Sequence, residues 1–155
     1  MNDDHLKALG RVVVNFNSLE VFLNFLIWIL IGPDLKTGKI ITSEVSFKGK
    51  ITLLASLYRI KIKDIKKDSD VNGLIKRLIK AEDERNKVIH SSWVIDEKNT
   101  RITRYKITAK LKRGLKDEFE EMNDTDINKI ADSINDVAKE IGNMISSYPQ
   151  GRLLK

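Results

Sequence analysis

Glu82-Asp83-Glu84-Arg85-Asn86-Lys87-Val88-Ile89-His90-Ser91-Ser92-Trp93 is the stretch on which the reading of this chain turns. Up to His90 it continues a 3.6-residue period that begins near Ser69 or Asp70. Leu74, Ile75, Leu78, Ile79, Ala81, Arg85, Val88 and Ile89 fall on or beside one helix face. Beyond Trp93 the period drops to two. Residues 93–96, a polar turn over 97–100 and residues 101–108 alternate β-branched with polar side chains and predict a β-hairpin. A lone hairpin is marginal in water, so this one has to pack against helices. The change of period at His90 therefore predicts a helical bundle with a small β excursion before its last helix.

Working outward, a long first helix is expected from a cap at Asp3 or Asp4 to Ile31, where Gly32-Pro33 stops it. Its second half is apolar all round, which suits the centre of a bundle or a subunit interface. Asn17, Glu20 and Asn24 nevertheless share a face, and buried polar groups need partners; Arg85 or His90 are the expected ones. Residues 34–46, with Gly38, read as a turn-rich connection. A second helix is expected over 47–60, followed by a basic stretch from Lys61 to Lys67 that reads as a solvated helix end or loop. The closing helix is capped by Asp124 or Thr125. It runs through Ile127, Ile130, Ala131, Ile134, Val137, Ala138, Ile141, Met144, Ile145 and Tyr148 to Pro149. The expected fold is all-α: one domain over 1–155, an up-down bundle of four to five helices with a β-hairpin inserted before the last.

Composition narrows the chemistry. The 155-residue chain has no cysteine, which excludes disulfides, thiolate metal sites and a cysteine nucleophile. Its two histidines are far apart, and no ligands at helical spacing join Asp3, Asp4 and His5, so no metal and no other cofactor is expected. His5 itself is expected to lie exposed near the terminus. No glycine-rich phosphate loop is present. No targeting segment is expected, and the apolar run 21–31 is shorter than the roughly 20 residues a membrane span needs; a cytoplasmic protein with no membrane partner is the reading. The net charge of +6 suits either a polyanionic partner or plain solubility. Arg101, Arg104, Lys106, Lys112 and Arg113 crowd the hairpin region, with Tyr105 among them. They read either as an RNA-binding surface or as a charged edge that resists aggregation.

Glu82, Asn86 and His90 stack at i, i+4 and i+8 on one helix face, with Arg85 beside them. A fixed cation, an amide and an imidazole gathered at one helix end suit acid–base chemistry on a phosphodiester. The plainer alternative is structural: Arg85 pairs with Glu82 or Glu20, and His90 caps the carbonyls of its helix end.

With Arg85-Asn86-Lys87-Val88-Ile89-His90, the chain resembles the HEPN family of small helical-bundle proteins, many of which are ribonucleases. Their signature is an arginine, usually followed by a polar residue, with a histidine four to six residues on. Leu19-Glu20 on the first helix, the β excursion after His90 and the closing amphipathic helix extend the likeness. The resemblance implies metal-independent endoribonuclease activity on RNA. His90 would be the acid–base residue, Arg85 the phosphate contact and Asn86 the positioning amide, with Glu82 and Glu20 in support. It also implies a homodimer whose two helix ends share one cleft, and a role as a toxin or phage-defence effector, with a protein antitoxin or regulator as partner. In some members a tyrosine two residues after the histidine is modified; here that position is Ser92. The alternative is a non-catalytic module that binds RNA or protein.

Overall fold

A 29-residue helix, α1 (Asp3–Ile31), is the axis on which the rest of the molecule packs. The computed structural model describes residues 2–32, 34–61, 65–96, 101–110 and 114–147. Ala8, Val12, Phe16, Leu19, Leu23, Leu26, Ile27 and Leu30 form the buried stripe of α1, and α5 (Asp124–Ser147) lies chiefly against it. Ile127, Ala131, Ile134, Val137, Ala138 and Ile141 answer from α5 at helical spacing. The cap of α1 is Asn2, one residue before the expected aspartates. Its side chain accepts the His5 N–H, while Asp3 and Asp4 sit in the first turn, where the helix dipole favours them. Gly32 closes the helix at φ 120°, donating its N–H to the Trp28 carbonyl. Pro33 lies outside the described residues.

Residues 34–46 are not a turn-rich connection. They hold a ten-residue helix, α2 (Leu35–Glu44), capped by Asp34, which accepts from both the N–H and the hydroxyl of Thr37. Gly38 is there for packing rather than turning: a Cβ at that position would stand 2.9 Å from the Trp28 ring. The close approach lets Trp28 Nε1 donate to Thr42 Oγ1 at 2.9 Å, which satisfies a buried hydroxyl.

Helix α3 (Phe47–Lys61) follows the expected span, with Ser46 Oγ accepting from the Gly49 N–H at its start. Helix α4 (Ile65–Ile89) begins earlier than the caps at Ser69 or Asp70 suggested. Residues 62–64 of the basic stretch lie outside the described ones. Val71, Leu74, Leu78, Ala81 and Val88 carry its buried face, whereas Ile79 is 45% exposed.

The expected hairpin is present and carries a third strand. β1 (Ser92–Asp96), β2 (Arg101–Lys110) and β3 (Gly114–Glu121) form an antiparallel sheet in that order. The register pairs Trp93 with Arg104 and Tyr105 with Phe119. Strand alternation puts Arg104 toward the helices and leaves Val94, Ile107, Leu115 and Phe119 more than half exposed on the other face. The run from Gly114 to Glu121 gives no apolar alternation toward a core, because Leu115 and Phe119 face outward and the half-buried inward positions are Glu118 and Glu120. α5 then starts from Asn123, not Asp124 or Thr125. Asn123 Oδ1 accepts from the Asp126 N–H, and the Asp126 carboxylate accepts from the Asn123 N–H. This reciprocal arrangement is a capping box. The expected end of α5 at Pro149 lies outside the described residues.

By length and composition α1 is apolar enough to cross a membrane, and 33% of its most apolar window is buried among the other helices. The short run 21–31 understated it, because the helix continues unbroken from Asp3 through Asn15, Asn17 and Glu20.

Candidate functional site

α4 ends at Ile89, and the chain leaves as a turn at His90 before β1 begins. The His90 N–H still donates to the Asn86 carbonyl at 3.3 Å, so the imidazole is carried on the last helical turn. Arg85 reaches it from one turn back: Nη1 stands 2.7 Å from His90 Nε2 and donates to Asn86 Oδ1 at 2.9 Å. The guanidinium has no acceptor of its own, so Nε2 accepts and the ring proton of a neutral His90 sits on Nδ1. Protonation at Nε2 and this contact exclude each other. The Arg85 guanidinium also lies over the Phe16 ring of α1, its Cζ 5.3 Å from the centroid, which seats the head of the side chain against the core. His90 is exposed while Arg85 and Asn86 are half-buried. The three residues singled out in sequence are thus brought together, one of them open to solvent.

The two supporting carboxylates divide. Glu20 does not support this pair: its Oε1 bonds the buried Lys50 ammonium at 2.6 Å, tying α1 to α3. Glu82 stays near. Burial raises its carboxyl above the ordinary range, Asp83 pushes the same way, and Lys48 and Arg85 oppose them. Neither Arg85 nor His90 partners the polar face of α1; Asn17 is exposed, and the buried Asn24 Oδ1 has no partner among the described residues.

The basic residues of the sheet serve different ends. Arg104 is not a surface cation. It is 3% exposed and donates from Nε and Nη2 to Glu120, from Nη2 to Glu118, and from Nη1 to Ser91 Oγ and the Lys87 carbonyl. Ser91 Oγ donates to that same carbonyl at 2.6 Å. Lys87 in turn bonds Glu120 at 2.7 Å. The hydrogen bonds from Lys87, then from Arg104, hold Glu120 below the usual carboxylate range against the opposing effect of burial. This network satisfies the Lys87 carbonyl in the last turn of α4 and fastens the exit to β2 and β3. Lys106, on the same inward face, brings its ammonium within 3.5 Å of the Asn86 carbonyl, the one hairpin cation that reaches the site among those whose side chains are described. The side chain of Arg101, and Lys112 and Arg113 altogether, lie outside the described residues. Sequence spacing could not have found Lys106 as a neighbour of Asn86, or Phe16 as a neighbour of Arg85, since both arrive through tertiary packing.

His5 is buried with no exposed surface, contrary to the expected exposed terminus, and its ring meets Trp93 edge-on. A groove of about 460 Å³ between α4 and α5, lined by residues including Arg77, Lys80, Asp132 and Glu140, lies on an earlier stretch of α4 than Arg85 and His90. Comparison of the chain with family models, with curated proteins and with solved structures finds no match.

Proposed function

We propose that the protein is a metal-independent endoribonuclease of HEPN type, with Arg85 and His90 as its working pair. The observation that carries this reading is the 2.7 Å contact between an arginine without a carboxylate partner among the described residues and an exposed histidine. A guanidinium in that position is available to a phosphodiester, because among the described residues no carboxylate pairs with it directly and Glu82 acts on it only at a distance.

When RNA arrives, the phosphate draws Arg85 away from Nε2 and leaves that lone pair free. His90 Nε2 then takes the proton of the 2′-hydroxyl, and the 2′-oxygen attacks phosphorus. The bond from phosphorus to the 5′-oxygen breaks as that oxygen receives a proton. Arg85 stabilises the charge that builds on the non-bridging oxygens, Asn86 Oδ1 orients the guanidinium, and Lys106 adds a second cation at the rim. The products are a 2′,3′-cyclic phosphate and a 5′-hydroxyl.

One free imidazole serves as base, and the proton for the leaving oxygen comes from His90 of a second copy, which enters the step as an imidazolium with its Nε2 withdrawn from its own Arg85 and leaves it neutral. Val14, Val21 and Phe25 of α1, each 46% exposed or more, form an uncovered apolar stripe at i, i+7 and i+11 that suits such a homodimer. A cytoplasmic protein acting as a toxin or defence effector, held in check by a protein regulator, is the setting the family resemblance suggests.

The test is cleavage of single-stranded RNA in excess chelator, with the ends identified. Cyclic-phosphate ends, and no cut where a single 2′-deoxy nucleotide replaces the target, are expected; cutting that ignores the 2′-deoxy substitution contradicts the reading. The uncovered apolar sheet face of Val94, Ile107, Leu115 and Phe119 favours a second reading, a non-catalytic RNA- or protein-binding module. Under it, binding survives His90→Ala and no cleavage is found.

A further inference from the structure

The proposed chemistry makes no use of His5, the other histidine of the chain. Its ring has no exposed surface, and neither Nδ1 nor Nε2 has a hydrogen-bond partner among the described residues. A polar ring so placed has surrendered its bonds to water and received none in exchange. What it has instead is Trp93, with ring centroids 4.6 Å apart and planes at 79°. That edge-to-face contact joins the first turn of α1 to the strand that leaves the His90 exit, three residues after His90 itself. Trp93 is thus held from the first turn of the 29-residue α1.

The charged groups facing the ring come from two directions. Asp124, in the first turn of α5, favours an imidazolium; the chain's amino terminus opposes it; Trp93 on β1 brings no charge. Asp3 and Asp4, on the same helix turn as His5, are exposed. Burial outweighs Asp124 and holds His5 below the ordinary histidine range.

We propose that His5 is an acid-sensitive latch: neutral, it seats the first turn of α1 against Trp93 and so fixes the exit that carries His90; protonated, it leaves that seat and releases the exit. A charged imidazole with no acceptor cannot remain where a neutral one barely suffices. The unfolded chain takes its proton at the ordinary histidine position, before the folded one does. The latch therefore stabilises the fold above that position, and its contribution is lost as pH falls through and below it.

The experiment compares the wild-type chain with His5→Phe, which keeps a ring against Trp93 but cannot titrate. Urea unfolding is followed at pH 7.5 and pH 5, and in native buffer the emission of Trp93 is read in a Trp28→Phe background. The wild-type folding constant is expected to fall about tenfold more than that of His5→Phe between the two pH values. Trp93 emission should shift to the red at pH 5 with His5 and stay fixed with phenylalanine. Equal pH dependence of the two proteins, or a wild-type Trp93 emission that stays fixed while His5 takes its proton, overturns the proposal. Should His5→Phe fail to fold, the imidazole proton resonances of the folded wild type decide. His5 titrating at the ordinary histidine position overturns the latch, and titration well below it sustains it. No readout involves RNA, so failure of the latch and failure of the cleavage proposal remain separate.

Discussion

Two arginines flank the exit of α4, and they are bound in opposite ways. Arg104 is buried and surrounded: two carboxylates, a hydroxyl and a backbone carbonyl take its donors. Arg85 has a neutral amide, a neutral imidazole and an aromatic face. The first charge is consumed in holding β2 and β3 to the end of α4. The second is placed beside an exposed histidine, with no carboxylate paired to it directly among the described residues. Structural cations are recognised by the anions around them, and working cations by the lack of them.

That contrast can be broken at several points. The largest effect on stability is expected at Arg104. Replacing it with leucine leaves Glu118 and Glu120 facing a half-buried gap and strips a donor from the Lys87 carbonyl. A loss of about 3 kcal/mol in urea-unfolding experiments is expected. A loss near zero would mean that the network contributes little to the junction.

Glu120→Gln should cost less, about 1 kcal/mol at neutral pH, because the side chain is partly solvated. Its pH signature is more diagnostic than its size. A carboxylate held below its usual range contributes stability above that range and loses it as pH falls through it. The wild type should therefore lose more stability than Glu120→Gln between pH 6 and pH 3. Glu82 has the opposite sign, since burial raises its carboxyl and favours the protonated form in the folded chain. Glu82→Gln should therefore lose more stability than the wild type as pH falls through the carboxylate range.

Arg85→Leu should change stability by no more than about 1 kcal/mol, the scale of a partly exposed cation over an aromatic ring. Asn86→Ala is expected to be smaller still, roughly 0.5 kcal/mol by thermal unfolding. A large loss at Arg85 would place it with Arg104 as a structural residue and remove the contrast.

The bundle and its inserted sheet were legible because hydrophobic periodicity reports burial directly. α1, α3 and α5 each present one stripe, and the change of period after His90 marked the β excursion. α2 was missed although Asp34 and Thr37 carry a cap signal, because Gly38 reads locally as a turn and only tertiary structure reveals Trp28 against it. β3 was missed for a different reason. Five of its eight residues are charged, and two of its anions, Glu118 and Glu120, point inward to answer an arginine on another strand. His5 was legible in retrospect, since it stands in phase with Ala8, Val12, Phe16 and Leu19 on the buried stripe. At the site, spacing on one helix was enough to bring Arg85, Asn86 and His90 together. It could not allocate Glu20, which α3 claims through Lys50, nor tell Arg104 from Lys106, whose roles depend on strand register and packing.

The most direct measurement is the rate of RNA cleavage, in excess chelator, by the wild type, Arg85→Ala and His90→Ala, each shown to be folded. Falls of about a hundredfold or more for both variants, with chelator without effect on the wild type, are the predicted result. Undiminished cleavage in either variant, or cleavage abolished by chelator, would contradict the account.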